Sequence, residues 1–225
     1  MSTDPKAAAK EATGRHAATY VADDMRVGLG TGSTVHFTIL DLGERARAGL
    51  RITCTATSER TETLARQVGL EVVAPDVIGA LDIAIDGADE VDPDLNLTKG
   101  GGGAHTREKI VASMAPRFIV VVDESKLVER LGPFGTPLEV LDFAPATTAG
   151  FVTQLGAAEV TTRPERSDSG NLLMDAHFGA IEDPVALAAK LAAVPGVVEH
   201  GIFAGTLVER VVIAGDDGSV RVLMH

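Results

Sequence analysis

The stretch Lys99-Gly100-Gly101-Gly102-Gly103-Ala104-His105-Thr106-Arg107-Glu108-Lys109 concentrates residue types that do chemistry. Four successive glycines cost backbone entropy, so an ordered tract implies close approach of the main chain to something. Lys99 offers a positive charge to an oxyanion. Glu108, within the first two turns of the helix that follows, offers a base for the same pocket. The plainer use of such a Glu is to complement the helix dipole, with Arg107 and Lys109 solvated. His105 is a second candidate base, although a histidine at a helix start ordinarily caps it or meets water.

Two further turns have similar character. Gly28-Leu29-Gly30-Thr31-Gly32-Ser33-Thr34 combines glycines with the hydroxyls of Thr31, Ser33 and Thr34 at a helix start, where free amides favour an anion such as a phosphate monoester. The dinucleotide pattern G-x-G-x-x-G needs Gly where Ser33 stands, and the P-loop needs Lys where Gly32 stands, so both are disfavoured. Without a ligand the segment reads as a tight turn with a Ser/Thr cap. Asp86-Gly87-Ala88-Asp89-Glu90 follows an apolar run, at the end of a strand where open parallel sheets keep their ligands. Its acids suit acid/base work or a divalent cation; metal is the weaker use because no His lies nearby, and an exposed acidic turn is the plain alternative. Lys126 also follows an apolar strand.

The elements that must position these turns alternate. A helix is expected from the Asp4-Pro5 cap to about Val21, then strand Met25–Leu29, helix Thr34–Ala48, strand Ile52–Ala56, helix Glu59–Val68, strand Leu70–Val73 and strand Leu81–Ile85. After the glycine tract come a helix over about Ala104–Ala115 and a near-continuous apolar strand, Phe118–Val122. Short strands buried on both faces and alternating with helices predict a parallel sheet in an α/β domain. From Leu138 to His200 the order becomes β-α-β-β-α-β, a smaller ferredoxin-like α+β domain. The last segment, two apolar runs around the turn Gly215-Asp216-Asp217-Gly218, returns to the first domain. The expected division is 1–130 with 206–225, and 131–205.

Composition removes other classes. The 225 residues are 45% hydrophobic and 23% charged, and 20 Lys plus Arg against 32 Asp plus Glu give a net charge of -12, which argues against nucleic acid or an anionic membrane as partner. Only six of the cations are Lys, which adds weight to those beside glycine turns. One cysteine, Cys54, excludes a disulfide framework, and no Cys cluster exists for structural zinc. No run approaches the roughly 20 apolar residues of a spanning helix. The start Met1-Ser2-Thr3-Asp4-Pro5 lacks a signal-like pattern, so a cytoplasmic protein is expected.

In order and spacing, GLGTGST at 28–34, DGADEVD at 86–92, KGGGGAHTREKI at 99–110 and VVDESKLVERLG at 121–132, with PGVVEHGIF at 195–203, resemble ribose-5-phosphate isomerase of the A type. The resemblance spans nearly the whole chain. It implies a Rossmann-like parallel-sheet domain with a smaller α+β domain, no cofactor or metal, a sugar phosphate as small-molecule partner, and a homodimer or higher homo-oligomer. It also implies exchange of ribose 5-phosphate and ribulose 5-phosphate in the pentose phosphate pathway. By matching position, Glu108 would move the proton between carbons 1 and 2, and Asp86, Asp89 and Lys99 would assist ring opening and stabilise the enediolate. Thr31, Ser33, Thr34, Lys10 and Lys126 would contact phosphate and substrate, with Gly32, Gly100 and Gly101 supplying backbone. The competing readings are a noncatalytic sugar-phosphate sensor, disfavoured by the net charge and by a first helix that runs almost directly into the sheet, and a related sugar-phosphate deaminase or acyl-group transferase.

Overall fold

The structure, a computed structural model, describes residues 5–215 and 219–224. The expected Asp4 cap and the tip of the turn at 216–218 lie outside the described residues. In chain order the first elements are α1 (Pro5–Ala18), β1 (Arg26–Leu29), α2 (Ser33–Arg47), β2 (Thr53–Ala56), α3 (Glu59–Gln67), β3 (Glu71–Val72), α4 (Pro75–Ile78) and β4 (Ile83–Asp86). Next come β5 (Glu90–Val91), β6 (Leu97–Thr98), α5 (His105–Ser113), β7 (Phe118–Asp123) and β8 (Thr136–Val140). The chain continues through α6 (Pro145–Gln154), β9 (Glu159–Arg166), β10 (Leu172–His177), α7 (Pro184–Ala192), β11 (Val197–His200), β12 (Ile202–Phe203), β13 (Arg210–Ala214) and β14 (Val220–Met224). Where the sequence carries α1 on to Val21, the structure ends it at Ala18. The amides of Thr19, Tyr20 and Val21 bond three residues back, a tightened 3-10 end.

The chain folds as two compact units: Met1–Gly87, Arg107–Lys126 and Leu207–His225, and Ala88–Thr106 with Leu127–Thr206. The sequence reading keeps 88–106 in the first domain; in the structure this segment groups with the second, because β5 and β6 pair with each other and β6 with β12.

The first unit is built on a seven-stranded sheet in the order β14-β13-β7-β4-β1-β2-β3, parallel except for the β13–β14 pair. Its inner strands are buried on both faces; Val27, Cys54, Ile83, Ile85, Ile119, Val121 and Val212 join one core with Val35, Ile39 and Leu42 of α2. From β1 the chain winds outward first through β2 and β3, then through β4, β7 and β13. The sheet therefore reverses direction between β1 and β4, the place where doubly wound folds bind ligands.

The second unit holds a four-stranded antiparallel sheet, β11-β8-β10-β9. Numbered within its own β-α-β-β-α-β order this is 4-1-3-2, the ferredoxin-like arrangement that the sequence pattern predicts. α6 and α7 bury Val152, Leu187 and Leu191 against Leu138, Val140, Met174 and Ala176. Asp183 caps α7 by accepting from the Ala186 amide, with Pro184 at its first position.

Candidate active site

Beyond β1 and β4 the main chain and one carboxylate lock together. Asp86, the last residue of β4, is 3% exposed, and its Oδ1 accepts from the amides of Thr31 (3.0 Å) and Gly87 (2.7 Å). A Cβ at Gly30 would fall on that carboxylate, which is why this turn takes glycine there. The Thr31 hydroxyl lies 2.9 Å from that of Thr57, 2.7 Å from that of Ser58 and 3.1 Å from that of Thr61, tying the β1 turn to the start of α3.

The next residues open α2. Gly32 is its N-cap and offers no side-chain cap; the His36 amide is bonded to the Gly32 carbonyl at 3.0 Å, so the amides of Ser33, Thr34 and Val35 precede the helical ladder. Ser33 is exposed, whereas Thr34 is buried. A cavity of about 900 Å³ is lined by Lys10, Gly30, Gly32 and Ser33, and also by His36 and Arg60. The structure thus unites Lys10 of α1 with the phosphate-type turn; Thr31, Thr34 and Lys126 do not line that cavity. Lys126 closes a 3-10 turn after β7, and Lys10 lies 3.9 Å from the Asp123 carboxylate at the end of β7. Sequence reasoning misses Arg60 and His36, since each looks like a solvated helix residue until α2 and α3 converge.

Glu108 sits in the first turn of α5, where an acid complements the helix dipole, and is only 4% exposed. Val111, one turn further on, packs against β1: a Cβ at Gly28 would stand 2.5 Å from its Cγ1. Residues three apart share a helix face, so Glu108 points to the sheet side of α5.

In the second unit the glycine tract is equally constrained. Lys99 follows β6, donates its amide to the Gly201 carbonyl (2.8 Å) and is 2% exposed, its ammonium 5.5 Å from the centre of the Phe203 ring. The Gly101 amide donates to Asp89 Oδ2 at 2.7 Å, and the Asp89 amide to the Thr98 carbonyl at 2.8 Å. Gly100 has φ +109°, and a Cβ there would come within 2.7 Å of His105 Nδ1. His105 is fully buried, with Nε2 3.3 Å from the Glu199 carbonyl, so the expectation of a solvated histidine is corrected. Glu90 is likewise no exposed turn acid: it is buried and accepts from Thr98 Oγ1 (2.7 Å) and the amides of Gly132 (2.9 Å) and Phe134 (2.7 Å).

The chain crosses between units after Gly87 and after Thr106, so Asp86 and Glu108 belong to the first unit and Asp89 and Lys99 to the second. Among the described residues no group of three or more His, Cys, Asp or Glu side chains is arranged to hold a metal ion. Burial first, then the charge of Glu71, pushes the Cys54 thiol up to about 12, which makes it a poor nucleophile.

Residues 53–218 match the family of ribose 5-phosphate isomerase A, also called phosphoriboisomerase A. Ribose-5-phosphate isomerase A of Thermomicrobium roseum is 46% identical over 222 residues, covering 96% of this chain and 93% of its own. The chain belongs to the ribose-5-phosphate isomerase A family. Solved structures of the family agree in fold. Ribose 5-phosphate isomerase A of Methanocaldococcus jannaschii has a TM-score of 0.90 at 38% identity, covering 96% of this chain and 98% of that one. A D-ribose-5-phosphate isomerase in complex with phospho-erythronic acid has a TM-score of 0.92 at 37% identity, with the same coverage. No described helix is long and apolar enough to cross a membrane.

Proposed function

We propose that this chain interconverts ribose 5-phosphate and ribulose 5-phosphate through an enediolate, as an enzyme of the pentose phosphate pathway. The observation that carries the activity is a likeness, nearly end to end, to isomerases of one family. One of these was solved with phospho-erythronic acid, a phosphorylated sugar acid whose planar carboxylate has the charge and shape of an enediolate.

In this reading Asp86 or Asp89 assists opening of the furanose. Glu108 then removes the proton from carbon 2. The electron pair forms the double bond between carbons 1 and 2, and the former carbonyl oxygen on carbon 1 becomes an oxyanion that Lys99 stabilises. Return of the proton to carbon 1, with the hydroxyl proton of O2 passing to O1, leaves the carbonyl at carbon 2. Burial of Glu108 and Lys99 supports these roles, because charges act more strongly where water is thin. The dianionic phosphate is held by the first-turn amides of α2, by Ser33 and by Lys10, with Arg60 adding positive charge to the same cavity, which His36 also lines. Gly32 supplies the turn's backbone, Thr31 and Thr34 brace it, Gly100 and Gly101 line the sugar, and Lys126 adds charge. A homodimer in the cytoplasm is the setting this reading implies.

The test is direct: purified protein mixed with ribose 5-phosphate and followed by NMR should form the ketose. Binding without turnover would favour the sensor reading. Release of ammonia from an amino sugar phosphate, or acyl transfer, would move the protein to another chemistry.

A further inference from the structure

Arg163 lies on β9, the edge strand of the four-stranded sheet, where a side chain has open solvent to choose. Its guanidinium turns instead toward the glycine tract. Nε donates to Asp175 Oδ2 at 2.7 Å and Nη2 to Asp175 Oδ1 at 2.5 Å, a two-pronged pair that fixes the plane of the group. The remaining arm, Nη1, donates to the carbonyl of Gly100 at 2.8 Å and to that of Gly101 at 3.2 Å. The strand geometry supports this aim. Pairing of β9 with β10 runs Met174 to Thr162 and then Leu172 to Arg166, so β9 carries extra residues just where Arg163 stands. Bulges of this kind redirect side chains.

The peptide between Gly100 and Gly101 is therefore held at both ends. Its carbonyl takes a hydrogen bond from Arg163, and its amide gives one to Asp89 Oδ2 at 2.7 Å. That peptide adjoins Lys99 and orients the Asp89 carboxylate. Without an anchor, a glycine tract at this point has many backbone states to explore.

We infer that Arg163, seated by Asp175, is a positioning residue that fixes the Gly100–Gly101 peptide and through it Asp89 and Lys99. The inference rests on the isomerase reading and adds to it a residue that does not touch the reacting carbons. Arg163 acts on the geometry of catalysis, whereas phosphate capture is assigned to Ser33, Lys10 and the first-turn amides of α2.

Its test compares wild type, Arg163→Ala and Arg163→Lys in ribose 5-phosphate turnover, with and without millimolar guanidinium ion, alongside thermal melting. Arg163→Ala is expected to lose about 10- to 100-fold in kcat, the scale of an ångström-level misplacement, with KM changed less than about 3-fold. Guanidinium should restore part of that loss by filling the vacated place. Arg163→Lys keeps the charge and stem but cannot serve Asp175 and both carbonyls together; it covers the case in which the Ala variant fails to fold. It should melt as wild type does, keep KM, lose kcat and stay insensitive to guanidinium. A folded Arg163→Ala enzyme with unchanged kcat overturns the inference. So does a loss that follows the fall in melting temperature and ignores guanidinium. Wild type that fails to turn over ribose 5-phosphate would sink the isomerase reading first, and this inference with it.

Discussion

Gly30→Ala is a change that the geometry of the candidate site forbids. The new Cβ would land on the carboxylate of Asp86, a buried group whose Oδ1 accepts from Thr31 and Gly87 at 3.0 and 2.7 Å. The carboxylate must swing away, and both bonds go with it. Hydrogen bonds to a charged group contribute about 1.5–3 kcal/mol each, while a Gly→Ala change returns only about 0.4–1 kcal/mol through the unfolded chain. The net expectation is a loss of about 2–5 kcal/mol, together with a fall in kcat of about 100-fold from displacing Asp86. The control is Gly150→Ala, an exposed position on α6 where a Cβ meets nothing within 4 Å; there the same substitution should stabilise by about 0.4–1 kcal/mol. Urea unfolding followed by circular dichroism, with steady-state kinetics on the same preparations, reads both. Gly30→Ala within about 0.5 kcal/mol of wild type and fully active would show that the Asp86 carboxylate tolerates a Cβ there.

Ser33→Asp puts a carboxylate at the open first turn of α2; it should stabilise the helix by about 0.3–1 kcal/mol yet raise KM for ribose 5-phosphate at least about tenfold, effects of opposite sign that calorimetry and kinetics separate. At Glu209, burial pushes the carboxyl up, but hydrogen bonds from Arg117 (2.8 Å) and Arg210 (3.0 Å) outweigh it and hold the group below its ordinary range. A depressed folded value means stabilisation present above the unfolded value of about 4.3 and lost as pH falls through the folded one. Glu209→Gln should therefore cost up to about 1 kcal/mol at pH 7, and denaturation curves of variant and wild type should converge below about pH 4.

What the sequence discloses depends on how far apart the partners are along the chain. β4 and Asp86 are legible because an apolar run ends abruptly in acids, and the β-α-β-β-α-β order of the second unit survives because each element is long enough to show a period. β5, β6 and β12, two residues each, have no period to detect, so the segment with Asp89 and Lys99 reads as part of the first domain. α4, a single turn from Pro75 to Ile78, escapes for the same reason. The hydroxyl cluster around Thr31 draws on Thr57, Ser58 and Thr61, which meet it only when β2 pairs with β1. Local rules fail His105 and Glu108 in the same way: a helix start predicts solvent for both, and tertiary packing buries both.

Transfer of the carbon-2 proton through Glu108 is the centre of the account. The measurement that tests it most directly is exchange of that hydrogen with deuterated water, in wild type and in Glu108→Gln, with calorimetric titration of phospho-erythronic acid on the same samples. Glutamine keeps the shape and removes the basicity, so exchange should fall by about 10²- to 10⁴-fold while the ligand still binds. Near-normal exchange in a folded Glu108→Gln protein would contradict the account and pass the role of base to another group, with Asp86 and His105 next in line.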